Sequence, residues 1–180
     1  MNPDPDNKPF ITLETDWFGE AGPDPAFRVE MGDDAWLFHV RVNKPPLGDP
    51  GAAAGEFHEG LWRYDVAEWF VAHRNTGRYM EWNLAPNGAW WAMLFSAPRR
   101  RAGVLPDLQG VRTESAITDD GWEAVLHVPR AILANALGAG VLTHNACFVL
   151  GVPRQHFSWV NFPVKEPDFH LPGYFRALPQ

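Results

Sequence analysis

Seventeen prolines and sixteen glycines punctuate this 180-residue chain from end to end, and no stretch is left free of them long enough for a bundle of long helices. That spacing suits many short strands joined by turns. At this length the chain is sized for one domain with a substantial core, and its 46% apolar and 21% charged residues are those of a folded globular protein.

Fifteen basic residues stand against 22 acidic ones, a net charge of −7, which disfavours the phosphate backbone of a nucleic acid as partner. The basic cluster Arg99-Arg100-Arg101 reads either as a solvated loop or as a contact for an anion. A single cysteine, Cys147, excludes an internal disulfide and a thiolate metal cluster, and its apolar neighbours suggest a buried, inert thiol. The N-terminus carries no basic segment followed by an apolar one, so a cytoplasmic setting is expected. Residues 131–153 lack Asp, Glu, Lys and Arg, but Gly138-Ala139-Gly140 and Thr143-His144-Asn145 interrupt the run. Helix, turn and strand fit there better than a membrane span, and no membrane partner is expected. Oligomeric state is not legible.

Residues 1–9 read as a loose polar arm, followed by a single domain over 10–180. Phe27, Val29 and Met31 alternate with polar residues, as do Trp36, Phe38, Val40 and Val42, with Gly32-Asp33-Asp34 between them as a hairpin turn. Residues 44–60, rich in Pro, Gly and Ala, predict a long exposed loop of functional interest. Beyond it, Ala67, Trp69 and Val71 oppose Val66, Glu68 and Phe70, while Met80, Trp82 and Leu84 oppose Tyr79, Glu81 and Asn83. Pro86-Asn87-Gly88 predicts a tight hairpin into Ala89–Phe95, a strand apolar on both faces. Strands follow at 111–117 and 122–128, a short helix over 129–137 with Pro129 at its first position, a buried strand at 146–152, and a loop-like C-terminal region. The expectation is an all-β protein, an antiparallel β-sandwich of jelly-roll type.

The nucleotide, metalloprotease and nucleophile-elbow signatures are absent. Seven histidines, at 39, 58, 73, 127, 144, 156 and 170, offer no two-ligand spacing on one element, so no transition-metal cofactor is expected. Asp33-Asp34 and Asp119-Asp120-Gly121 place oxygen ligands in turns, which leaves calcium open. Of nine tryptophans, Trp36, Trp69, Trp82 and Trp122 fall on apolar strand faces and belong to the core. Trp62 and Trp159 lie near strand ends or in loops among polar residues. A flat ring beside hydrogen-bonding groups is what a sugar requires, because its C–H patches stack while its hydroxyls need polar partners.

The block Gly60–Phe70, with the pattern L-W-x-x-D-x-x-E-x-F, followed by Tyr79–Trp90, with Y-x-E-x-N-x-x-P-x-G-x-W, and later Asp168-Phe169-His170-Leu171-Pro172 with Phe175, resembles the DOMON-like proteins related to family 9 carbohydrate-binding modules. The likeness runs from about residue 25 onward. It implies a β-sandwich with a non-catalytic saccharide site, in which Trp62 and Trp159 clamp the sugar and Glu68, Glu81 and Asn83 form a polar floor. Arg100, His156, Asp168 and His170 are secondary candidates. Two facing carboxylates repel unless a proton, cation or hydroxyl intervenes. Two other readings follow: glycoside cleavage by Glu68 and Glu81 as an acid–base pair, with His170, and haem binding through Met80 or Met93. The strand pattern sends Met80 into the core, so haem is not expected.

Overall fold

Period-two alternation governs the strands that form. A computed structural model describes residues 9–179, so the arm expected over 1–9 lies, apart from Pro9, outside the described residues. The chain runs β1 (Ile11–Thr12), β2 (Ala26–Met31), β3 (Ala35–Val42), a 3-10 turn at Leu61–Arg63, β4 (Val66–His73), β5 (Tyr79–Leu84) and β6 (Trp90–Ala97). It continues through β7 (Arg100–Arg101), β8 (Arg112–Ile117), β9 (Trp122–Pro129), α1 (Arg130–Leu137), β10 (Leu142–Leu150), β11 (Gln155–Ser158), a second 3-10 turn at Pro172–Tyr174 and β12 (Arg176–Ala177).

Two antiparallel sheets result. One has the order β1-β2-β3-β9-β8; the other has the order β11-β10-β4-β5-β6-β7, with β12 also paired to β10. Their facing sides bury Phe27, Phe38, Trp122 and Leu126 against Trp69, Met80, Trp82 and Phe148, and the rings of Phe38 and Trp69 stack across the gap at 5.7 Å. Burying side chains of this size contributes roughly 1.5–3 kcal/mol each. The four tryptophans assigned to the core all lie in this layer. Helix α1 adds Ile132, Leu133, Ala136 and Leu137, and Gly138 ends it at φ 82°. Pro129 stands one residue earlier than expected, closing β9 and preceding the first helical residue.

The second sheet is also covered on its outer side. Phe70, Tyr79, Trp91, Phe95 and Val149 pack there under Leu61, Phe169 and Phe175, which accounts for the doubly apolar β6. The 44–60 loop is mostly exposed, as expected, but it is anchored. Asp65, 1% exposed, accepts from the Leu47 N–H at 2.9 Å and the Gly151 N–H at 2.6 Å and pairs with the Lys44 ammonium. The Asn87 amide also donates to the Ala52 carbonyl at 2.9 Å.

Two expected boundaries move. The buried strand begins at Leu142 instead of 146, because Thr143, His144 and Asn145 are strand residues with internal partners. His144 Nδ1 accepts from the Trp69 indole at 3.3 Å, while Asn145 donates to Ser158 Oγ at 2.9 Å and accepts from the Val160 N–H at 3.1 Å. Polarity there marks burial with hydrogen bonds to neighbouring strands, His144 Nε2 excepted, and not a break. The C-terminal region likewise contains β11, paired to β10 from Cys147↔Ser158 to Leu150↔Gln155. No helix among the described residues is long and apolar enough to cross a membrane.

Candidate functional site

The outer face of the second sheet holds the site, and strand register decides which side chains reach it. Ser158, Cys147, Glu68, Asn83 and Trp91 form one row across five strands, each paired with the next. Glu81 lies in the adjacent row, opposite Phe70 and Met93. Glu68 and Glu81 are therefore diagonal neighbours on central strands, with Cα atoms about 7–8 Å apart. Both are 5% exposed, and both line a cavity of about 680 Å³ open to solvent.

Burial dominates their chemistry. It pushes Glu68 well above the ordinary carboxylate range, with Glu81 adding to the shift and Arg154 and Arg99 opposing it. Burial likewise raises Glu81 to about 7, against the Asn83 amide, Arg101 and Arg99. Asn83 lies fully buried beside the floor, close enough to hold Glu81 down, although neither of its amide atoms reaches hydrogen-bond geometry. At neutral pH the floor thus carries protons that it can donate as well as lone pairs that accept.

Aromatic rings form the walls and guanidinium groups surround the opening. Trp62, set by the 3-10 turn, meets Trp91 edge to face at 5.1 Å, and both line the cavity. Phe95 and Phe169 complete the apolar wall, and Arg63, Arg99, Arg101 and Arg154 surround the mouth. His156 reaches the cavity from β11, and burial together with Arg154 lowers its pKa.

His170 reaches it from the C-terminal segment, packed edge-on against Phe70 and Phe95. Tyr79 Oη accepts from the Arg99 N–H at 3.0 Å and is hydrogen-bonded to His170 Nδ1 at 2.7 Å. The other ring nitrogen, His170 Nε2, lies 3.8 Å from Glu81 Oε2. Burial, with Arg99, lowers His170 to about 4, so the ring is neutral where the site functions near neutral pH.

Among the residues expected from sequence, Trp62, Glu68, Glu81, His156 and His170 come together around the cavity, with Asn83 beside the floor. Trp159 does not join them. It packs on the inter-sheet core, with its ring 5.5 Å from Phe27, 4.9 Å from His144 and beneath the Arg176 guanidinium at 4.5 Å. The reason is parity along the chain: Phe157 points into the core, so Trp159 does too, while His156 and Ser158 face outward.

Arg100 lies outside the cavity lining and donates to Ser96 Oγ at 3.0 Å; Arg99 and Arg101 take the lining positions. Asp168 acts as a brace, accepting from Arg99 at 2.9 Å and from the His170 N–H at 3.0 Å. Trp91 was missed, yet the Pro86-Asn87-Gly88 hairpin fixes Leu84 opposite Trp90 and hence Asn83 opposite Trp91. Arg154 and Phe169 sit in segments with no periodic signal.

Cys147 is buried, and burial raises its pKa. Among the described residues no group of three or more His, Cys, Asp or Glu side chains is placed to hold a metal ion. Met80 lies in the inter-sheet core.

No known family's sequence profile matches the chain. The human UPF0462 protein C4orf33 is 25% identical over 169 residues, covering 86% of this chain and 79% of its own length. Among solved structures, a candidate carbohydrate-binding protein of Bacteroides uniformis superposes with a TM-score of 0.75 at 19% identity, over 94% of this chain and 84% of its own. A family 9 carbohydrate binding module from Caldicellulosiruptor kristjanssonii in complex with cellotriose superposes at 0.61 with 11% identity, over 94% of this chain and 80% of the module. Its complex with glucose gives 0.59 at 11% identity, over 93% and 82%. These likenesses establish a shared fold, and the expected resemblance to family 9 modules is met as a likeness of fold.

Proposed function

We propose that this protein binds a saccharide in the cavity on the outer face of its second sheet, without cleaving it. One observation carries the reading: the Trp62 and Trp91 indoles stand beside a buried floor of Glu68 and Glu81, with the Asn83 amide adjoining. Sugar C–H faces rest on indole, and buried carboxyls that hold their protons both donate to and accept from ring hydroxyls. A cavity of about 680 Å³ is within the usual range for small-molecule sites. The structural neighbours include a candidate carbohydrate-binding protein and a carbohydrate binding module in complex with cellotriose and with glucose, and support the same class of ligand. The aromatic surface differs from the clamp expected from sequence: Trp62 lies in contact with Trp91 as one wall, and Trp159 does not face it.

Titration of intrinsic fluorescence with mono- and disaccharides tests the proposal. A saturable change that disappears in Trp62→Ala and persists in Trp159→Ala is expected. No saturable change with any sugar of the panel would overturn it. Reducing-sugar release from a polysaccharide that stops in Glu68→Gln would instead favour glycoside cleavage, and a Soret band in purified protein would favour haem.

A further inference from the structure

Floor and walls do not explain the mouth of the cavity. Arg63, Arg99, Arg101 and Arg154 converge there from three separate segments, in a chain whose net charge is −7. Arg99 and Arg101 are each balanced by one carboxylate, Asp168 at 2.9 Å and Glu59 at 2.7 Å. Arg154 donates to the Trp62 carbonyl at 2.7 Å, and neither it nor Arg63 has an ion pair among the described residues.

A guanidinium has five N–H donors and no acceptor. Four of them make a rim that offers nothing to the protons of sugar hydroxyls. A carboxylate or phosphate is the complementary group, rich in acceptors and matched to the planar fork through paired hydrogen bonds.

We propose that the natural ligand is a saccharide bearing an anionic substituent, which the rim arginines hold while its ring rests against Trp62. This deepens the saccharide reading and rests on it. The buried floor is compatible with such a ligand, because proton retention by Glu68 and Glu81 removes much of the repulsion two ionised carboxylates would exert.

Calorimetric titration of the full chain with glucose, glucuronate, glucose 6-phosphate and inorganic phosphate, at low and raised salt, tests the inference. At least one charged sugar should bind about tenfold or more tightly than glucose. That advantage should shrink with salt. Which charged sugar wins identifies carboxylate or phosphate as the substituent. Arg63→Gln and Arg154→Gln should each reduce the advantage, while Arg100→Gln, outside the cavity, should retain it.

Glucose binding as tightly as both charged sugars would overturn this inference and leave the saccharide reading standing. Inorganic phosphate binding as tightly as the sugar phosphate would overturn it as well, since the ring would then contribute nothing. Failure of all three sugars would overturn this inference, and joined to failure of every mono- and disaccharide in the fluorescence panel it would remove the saccharide reading as well.

Discussion

The indoles of Trp62 and Trp91 meet edge to face, their centroids 5.1 Å apart and their planes 62° from parallel, at the wall of a cavity floored by carboxyls. Trp159 lies in a different layer, against Phe27 and His144. The two substitutions Trp62→Ala and Trp159→Ala should therefore separate cleanly. The first abolishes the ligand-induced fluorescence change with little effect on urea denaturation. The second leaves ligand binding in place and costs about 3 kcal/mol of stability, from lost burial and the void left behind.

Glu81 makes stability fall as pH rises. Below its ordinary value of 4.5 the carboxyl is protonated in both the folded and unfolded chain, and the contribution is fully present. Between 4.5 and about 7 the unfolded chain releases the proton while the folded one retains it, so the equilibrium shifts toward unfolding. His170 and His144, lowered to about 4 and about 3 by burial, act in the opposite direction. A comparison with Glu81→Gln removes this carboxyl together with its upward push on Glu68. Denaturant titrations at pH 4.5 and pH 7 should show wild type losing on the order of 3 kcal/mol relative to the variant. A difference independent of pH would contradict the assignment.

Asp65 ties the 44–60 loop and the end of β10 to the segment that carries Trp62. Its carboxylate serves two backbone N–H groups and the Lys44 ammonium while 1% exposed. Asp65→Ala strands these partners and should cost about 3 kcal/mol or more, read by thermal or urea denaturation. Asp65→Asn, which keeps one acceptor, should lose less. Sugar affinity should fall alongside stability in Asp65→Ala, because the Trp62 mount loosens.

Gly121 closes the turn between β8 and β9, where its N–H donates to Thr118 Oγ1 at 3.1 Å. A methyl group there would collide with the Val42 carbonyl oxygen, a backbone atom held in the β3–β9 ladder. Gly121→Ala should destabilise by about 1–3 kcal/mol. Gly48→Ala, with open space around it, should be near neutral in the same denaturation assay.

The floor was legible in the sequence because β4 and β5 alternate cleanly: one polar face with Glu68, Glu81 and Asn83, one apolar face with Trp69 and Trp82. Trp159 went astray because it was judged by its polar surroundings and not by its parity with Phe157, which would have placed it in the core and His156 at the site. The choice of Arg100 over Arg99 and Arg101 has a different origin. The β6–β7 pairing carries a register shift between Phe95 and Ala97, so outward and inward positions cannot be counted through it from sequence. Phe169 and His170 arrive on a segment without regular structure, positioned by Tyr79 and Asp168, and no local pattern announces such tertiary contacts.

Because β4 and β5 are each bonded to a strand on both sides, the carboxyl-bearing base lies in the interior of the sheet, whereas every guanidinium around the entrance belongs to a connecting segment or an edge strand. The charge of the rim and the support of the floor are thus set by different side chains. Exchanging the exposed arginines one at a time should retune ligand preference while the melting temperature stays nearly constant, provided the Asp65 anchor and the buried Leu61 and Phe169 are kept.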